Sequence, residues 1–215
     1  MASTWVYLIR HGEVEHAAEG RFFGHTDVAL SATGLRQVEA LARQLALEPI
    51  EAVYASDLTR ARQSAAPLAG SRGLDPVVVP ALREMAMGRW EGLTFPEIRE
   101  REPDALARWL ANLTTFPFPG GENLEDLRAR VMPAFREILD RHAGGRIAVV
   151  AHGGPNRVIL AEALGLPFGH LLRLGQDYAC WSVVEYRTDA AILHSLNQRV
   201  AGIAAAAPVE RTAVG

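Results

Sequence analysis

The sequence predicts an α/β fold of three layers, a mostly parallel mixed sheet flanked by helices. Two observations carry the prediction. Short runs rich in Val, Ile and Tyr alternate with stretches of helical periodicity. Two of those runs also end alike, in a histidine followed by glycine: Arg10-His11-Gly12 and Ala151-His152-Gly153-Gly154. In an open parallel sheet such ends open into a crevice at the carboxyl edge of the strands. A chain of 215 residues is long enough for one sizeable core, and residues 1–200 are expected to form a single domain.

The strands are expected at WVYLIR (5–10), EAVYAS (51–56), PVVVP (76–80), RIAVVAH (146–152), ACWSVVEY (179–186) and AAILHSL (190–196). Their β-branched and aromatic residues suit a pleated, half-buried surface. The last two are separated by a short turn at Thr188 and Asp189, which predicts an antiparallel hairpin at one edge. LRQVEALARQLAL (35–47) sets Leu35, Val38, Leu41, Ala42 and Leu45 on one helical stripe. DLTRARQSAAPLAG (57–70) is the next helix, with Ser56 or Asp57 as its N-cap. PNRVILAEALG follows the fourth strand directly. The mostly helical block between the third and fourth strands, broken at Pro103 and at 116–121, is too long for a plain crossover. It is expected to be a helical cap, about 94–143, near the rim of the site. The Ala-rich tail 201–215 lacks an apolar face and is expected to be disordered.

Composition narrows the function. The chain is 49% apolar and 22% charged, with a net charge of −3, so no global basic field points to nucleic acid or an anionic membrane. All 22 basic residues are arginine, which excludes a lysine phosphate loop or Schiff base within the chain. Positive charge comes only as planar forks suited to oxyanions. The single cysteine, Cys180, reads as a small apolar filler. With no basic and apolar leader at the N-terminus and no membrane-spanning run, a cytoplasmic location is expected.

The two histidines at strand ends face one crevice if their strands are adjacent and parallel. Flanking glycines let backbone N–H groups approach a ligand, and the helix start after His152 adds positive potential. A third strand end leads into a helix bearing Arg60 and Arg62, whose Cβ vectors diverge by about 200° at roughly 100° per residue. Arg60, nearer the helix start, is expected in the crevice. After the third strand, Glu84 lies in a loop where a carboxyl group is held partly out of water, as suits a general acid. Two histidines, two arginines and a glutamate fit phosphoryl transfer, in which catalysis is mostly positioning and electrostatic stabilisation. A neutral imidazole is the nucleophile, either His11 or His152 on this reasoning alone. The arginines and a protonated second histidine clamp the oxygens. Satisfied core histidines, or metal ligation with Glu13 or Glu84, are the competing readings; the chain has no HxH or HExxH pair.

The motifs LIRHGE (8–13), GRFFGHTDVALSATG (20–34), SDLTRARQSA (56–65), LREMAMGRWEG (82–92), FPGGENLEDLRARV (118–131) and VVAHGG (149–154) resemble the histidine phosphatase, or phosphoglycerate mutase-like, superfamily, in its order. The resemblance implies His11 as the nucleophile that becomes phosphohistidine. It implies Arg10, Arg60 and His152 as phosphoryl ligands and Glu84 as the proton donor, with neither metal nor other cofactor. Phe23, Gly24, Gly153 and Asn156 are expected to contact substrate. The family often has Ser or Thr after RHGE and Asn three positions later; Val14 and Ala17 stand there instead. Backbone donors or Ser56 are expected to compensate. Ser64 stands where Thr is usual.

The compact block between Glu84 and His152 favours hydrolysis over a mutase reaction. The LGQDYACWSVVEY and RWEGLTFPEI segments look like those of bacterial alpha-ribazole phosphatases. The implied substrate is a small phosphate ester such as alpha-ribazole phosphate, a phosphosugar or a phosphoglycerate, handled by a monomer or homodimer. A phosphoglycerate mutase and a non-catalytic phospholigand-binding member are the alternatives.

Overall fold

The computed structural model describes residues 3–202. Six strands form one sheet in the order β3-β2-β4-β1-β5-β6. They are β1 (Thr4–Arg10), β2 (Ala52–Ala55), β3 (Val77–Val78), β4 (Arg146–Ala151), β5 (Trp181–Tyr186) and β6 (Ala191–Gln198). β1, β2, β3 and β4 pair in parallel, while β5 pairs antiparallel with both β1 and β6. The expected hairpin is therefore present at one edge. The tail predicted for 201–215 begins as a turn at Ala201 and Gly202, and its remainder lies outside the described residues.

Side-chain alternation along the strands builds two cores. On one face Val6, Leu8, Ile147, Val149 and Val184 join a large cluster with α5 (Leu124–Arg141) and α6 (Gly153–Leu164). On the other face Tyr7, Ile9, Val53, Ala55, Ala148 and Val150 pack against α1 (Ala32–Gln44) and α2 (Thr59–Gly70). Helices thus cover both faces, the three layers that alternating runs predicted.

Several boundaries differ from expectation, each for a local reason. α1 starts three residues before the predicted stripe because Ser31 caps it, its hydroxyl accepting from Gly34 N at 3.0 Å. α2 is not capped by Ser56 or Asp57. Leu58 holds the cap position, and Asp27 reaches across to accept from Thr59 N and Thr59 Oγ1, both at 2.7 Å. β3 shrinks to two residues, 44% and 45% exposed, because the flanking prolines donate no ladder bonds. The block expected as a cap over 94–143 divides in two. α3 (Phe95–Arg101) and α4 (Pro103–Ala111) pack on each other at the rim. α5 instead buries Leu124, Leu127, Val131, Met132, Phe135 and Ile138 and forms part of the flanking layer.

The β1–β4 register positions the site. Arg10 lies opposite Ala151, and His11 N donates to Ala151 O at 3.1 Å, so the ladder runs one step past the last strand residue. The next pair in that register is His11 and His152.

Candidate active site

The ring centroids of His11 and His152 are 5.0 Å apart, and both side chains are buried. His11 Nδ1 lies 2.7 Å from Gly12 O. A carbonyl only accepts, so Nδ1 carries the proton and Nε2 keeps its lone pair. Burial, then the charges of Arg60 and Arg10, hold the His11 pKa well below the usual imidazole range. The ring is therefore a neutral base with one free nitrogen.

His152 is the opposite tautomer. Arg60 Nε donates to its Nδ1 at 3.3 Å, which leaves the proton on Nε2, facing Ser56 Oγ at 2.6 Å. Burial, His11 and the nearby arginines depress its pKa far below the ordinary value. Burial first, and then the charges around it, favour a neutral His152 in the ligand-free protein over the expected protonated clamp. Ser56, expected as a substitute phosphate donor, is fully buried and orients His152.

Arg60 is 1% exposed, whereas Arg62 is exposed, as the helical angles required. Its guanidinium donates to Thr26 O at 2.8 Å, Gly24 O at 2.6 Å and Phe23 O at 3.3 Å. The same loop turns its N–H groups the other way. Gly24 N, His25 N and Thr26 N donate to the Glu91 carboxylate at 3.0, 2.7 and 3.2 Å, and Met87 N donates at 3.1 Å. Burial raises the Glu91 pKa, but these bonds outweigh it and hold the carboxyl below its ordinary range. Gly24, expected to contact substrate, has both backbone groups engaged within the protein, its carbonyl by Arg60 and its N–H by Glu91. A Cβ there would come within 2.1 Å of Met85 O.

Arg10 is fixed by the 175–180 loop. Its NH1 donates to Gln176 O, and its Cζ lies 4.1 Å from the Tyr178 ring centroid. Arg10 Nε is buried with no protein acceptor, a donor suited to a ligand oxygen. Tyr178 also flanks His11, with centroids 5.6 Å apart. Ala179 adopts φ 51°, a left-handed conformation that L-residues rarely take, and its N–H reaches His11 O at 3.0 Å. Asn156, expected to contact substrate, is fully buried and donates from Nδ2 to Gln176 Oε1 at 3.0 Å, bracing the same loop.

Glu84 faces the histidines' helix. Its carboxylate accepts from Gly154 N at 3.0 and 3.1 Å and from Met85 N at 2.9 Å. Gly153 is where the charged groups converge. A Cβ there would lie 2.9 Å from Arg157 NH1, 3.6 Å from Glu84 Oε2 and 3.9 Å from Arg10 Nε. Arg157, on α6, is a third arginine beside the site that the sequence motifs did not single out. It is buried, and its Nε donates to Leu174 O at 2.9 Å.

Gly12 N donates to Ser64 Oγ at 3.0 Å, and Ser64 Oγ donates to Arg60 O at 2.7 Å. Ser64 therefore ties α2 to the turn after His11, and the Gly12 N–H is already engaged. Glu13 accepts from Ser31 Oγ at 2.8 Å, beside the start of α1. Val14 is buried with Leu30, Val38 and Ala179, and Ala17, Phe23 and Tyr178 pack against that cluster. Where the family often has polar side chains, Val14 and Ala17 belong to this small apolar cluster, and Tyr178 links it to the His11 ring. Trp90, Trp109 and Phe118 form a ring stack that fills the rim block, with centroids 5.2–5.7 Å apart. Among the described residues no three His, Cys, Asp or Glu side chains cluster as metal ligands would, and no helix is long and apolar enough to cross a membrane.

The family model described as histidine phosphatase superfamily (branch 1) matches residues 6–199. A bifunctional protein of Mycobacterium tuberculosis is 39% identical over 189 residues, 87% of this chain and 52% of its own. The chain therefore spans about half the length of that mycobacterial relative. Phosphoserine phosphatase 1 of Hydrogenobacter thermophilus is 30% identical over 88% of this chain and 90% of its own. The crystal structure of the alpha-ribazole phosphatase from Shigella flexneri superposes with a TM-score of 0.85 at 26% identity, covering 93% of this chain and 99% of that one.

Proposed function

This chain belongs to the histidine phosphatase superfamily, and from that we propose that it hydrolyses small phosphate monoesters through a phosphohistidine on His11. The observation that carries the reading is the His11 ring: buried, neutral, with Nδ1–H fixed on Gly12 O and Nε2 carrying the lone pair beside Arg10, Arg60 and His152.

In the first step Nε2 attacks phosphorus and the bond to the leaving oxygen breaks. Protonated Glu84 donates its proton to that oxygen. In the second step the Glu84 carboxylate takes a proton from water, whose oxygen attacks phosphorus. The N–P bond then breaks and inorganic phosphate leaves. Arg10 and Arg60 stabilise the equatorial oxygens, and Arg10 Nε is the unpartnered donor closest to that task. His152 meets the anion as a neutral ring, and the incoming negative charge favours its second proton. Gly153 keeps clear the space that Arg10 and Glu84 both border.

The relatives are named for phosphoserine and for alpha-ribazole phosphate, both phosphate esters of an organic alcohol. The Tyr178 ring beside His11 supports an organic leaving group packed next to the nucleophile. A panel of phosphomonoesters ranked by kcat/KM identifies which one.

Acid-quench trapping tests the chemistry. Labelled substrate is expected to leave phosphate on His11 in the wild type. His11→Ala should lose on the order of 10³-fold or more in kcat with its thermal transition retained. A folded His11→Ala variant that still turns over at the wild-type rate would remove the nucleophile from this scheme.

A further inference from the structure

The segment 81–86 that carries Glu84 has almost no repeating structure: a 3-10 turn ends at Leu82 and the chain runs irregularly to the next turn at Gly88. Such a loop does not fix a carboxyl group by itself. Arg130, one face of α5, reaches into it. Arg130 NH1 donates to Ala81 O and to Arg83 O, both at 2.8 Å, and NH2 donates to Glu84 O at 2.7 Å. The remaining N–H groups go to Glu122, Nε to Oε1 at 2.6 Å and NH2 to Oε2 at 2.9 Å. A guanidinium has five N–H donors in a rigid fork, and all five are matched here. Glu122 completes the frame: its Oε2 accepts from Ala86 N at 2.8 Å and its own N–H donates to Ala86 O at 2.9 Å.

We infer that Arg130, held by Glu122, is the positioning residue of the general acid, setting the backbone of 81–86 so that the Glu84 carboxyl meets the leaving oxygen. The inference rests on the reading of Glu84 as that acid. The two devices divide the work. Gly154 N and Met85 N hold the carboxylate, while Arg130 holds the main chain from which it projects. A general acid is sensitive to placement, because a shift of about 1 Å costs on the order of 10²-fold. Arg130 touches neither substrate nor reacting atoms.

Proton donation matters in proportion to the basicity of the leaving group. A residue that only stabilises the fold does not distinguish an alkyl phosphate from p-nitrophenyl phosphate, whose leaving group needs no proton. Arg130→Ala is expected to lower kcat/KM for an alkyl phosphate on the order of 10²-fold and to leave p-nitrophenyl phosphate nearly unchanged. Glu84→Gln run beside it should show the same selectivity. Arg130→Lys, a point charge without the fork, should restore only part of the loss. If Arg130→Ala does not fold, Glu122→Gln, which keeps the shape and weakens the ion pair, should show the same selectivity at smaller size. An equal fall in kcat/KM, which stops at expulsion of the leaving group, for both substrates in a folded Arg130 or Glu122 variant, with Glu84→Gln still selective, overturns the positioning role alone. An equal fall in kcat/KM in Glu84→Gln removes the acid and the positioning role together.

Discussion

At the scale of single residues, the site works by keeping two imidazoles uncharged. His11 and His152 are both buried among arginines, and both have pKa values well below the ordinary range. In the unfolded chain they take up protons near about pH 6.5. As pH falls below that value the unfolded chain binds protons that the folded chain refuses, so this contribution to stability is complete above about 6.5 and is lost below it. Each histidine adds a slope of about 1.4 kcal/mol per pH unit. Urea unfolding of the ligand-free protein should show stability falling from about pH 6.5 downward, less steeply in His11→Gln, which has one fewer group to titrate. An equal slope in both would mean that the ring is not held neutral by the fold. Arg10, His11 and His152 were marked in the sequence by a local pattern at a strand end, and Arg60 by its position in the first turn of a helix; Glu84 was marked only by its loop. The tautomers were not marked at all. They depend on Arg60 Nε and Gly12 O, which are set by a helix packing and a peptide orientation, and the preference of His152 for the neutral ring follows from its burial, which no local pattern reveals.

At the scale of elements, loops carry the reactive side chains and distant carboxylates hold the loops. Glu91 gathers three successive N–H groups of 24–26, and the carbonyls of the same stretch hold Arg60. Glu91→Gln turns an amide NH₂ toward donors and should loosen that arrangement. Vanadate affinity is expected to fall about 10-fold, or about 1.4 kcal/mol. The loss should disappear when Arg60→Ala is already present, since the two then share one path; additive losses would separate Glu91 from Arg60. This clamp left no signal in the sequence. Glu91 lies 65–67 positions from the amides it binds, and no periodicity links a carboxylate to a loop on another element. The capping of α2 by Asp27 was hidden in the same way. The Ser31 cap of α1 went unread as well, because the apolar stripe begins later, at Leu35.

At the scale of the whole molecule, the sheet and its two cores form the frame, and the short helices α3 and α4 join the larger core through single buried residues, Ile98 and Leu106. The alternation of strands and helices predicted this arrangement, and the phase of Val6, Leu8 against Tyr7, Ile9 reproduces it. The length of the helical block could not show that its last helix belongs to the flanking layer. That depends on where α5 lays its stripe, with Phe135 fully buried against Tyr186 at 5.6 Å. Hydrogen exchange should separate the two parts. Amides of α3 and α4 are expected to exchange through local opening, and those in the middle of α5 only with global unfolding. Matching protection across all three helices would make the block one cooperative unit. The one-step extension of the β1–β4 ladder also ties the spacing of the two histidines to the most protected part of the molecule. His11 and His152 stand as neighbours across two strands whose pairing lies in the sheet and not in α3 or α4, so opening of those helices leaves the pair where the ladder puts it.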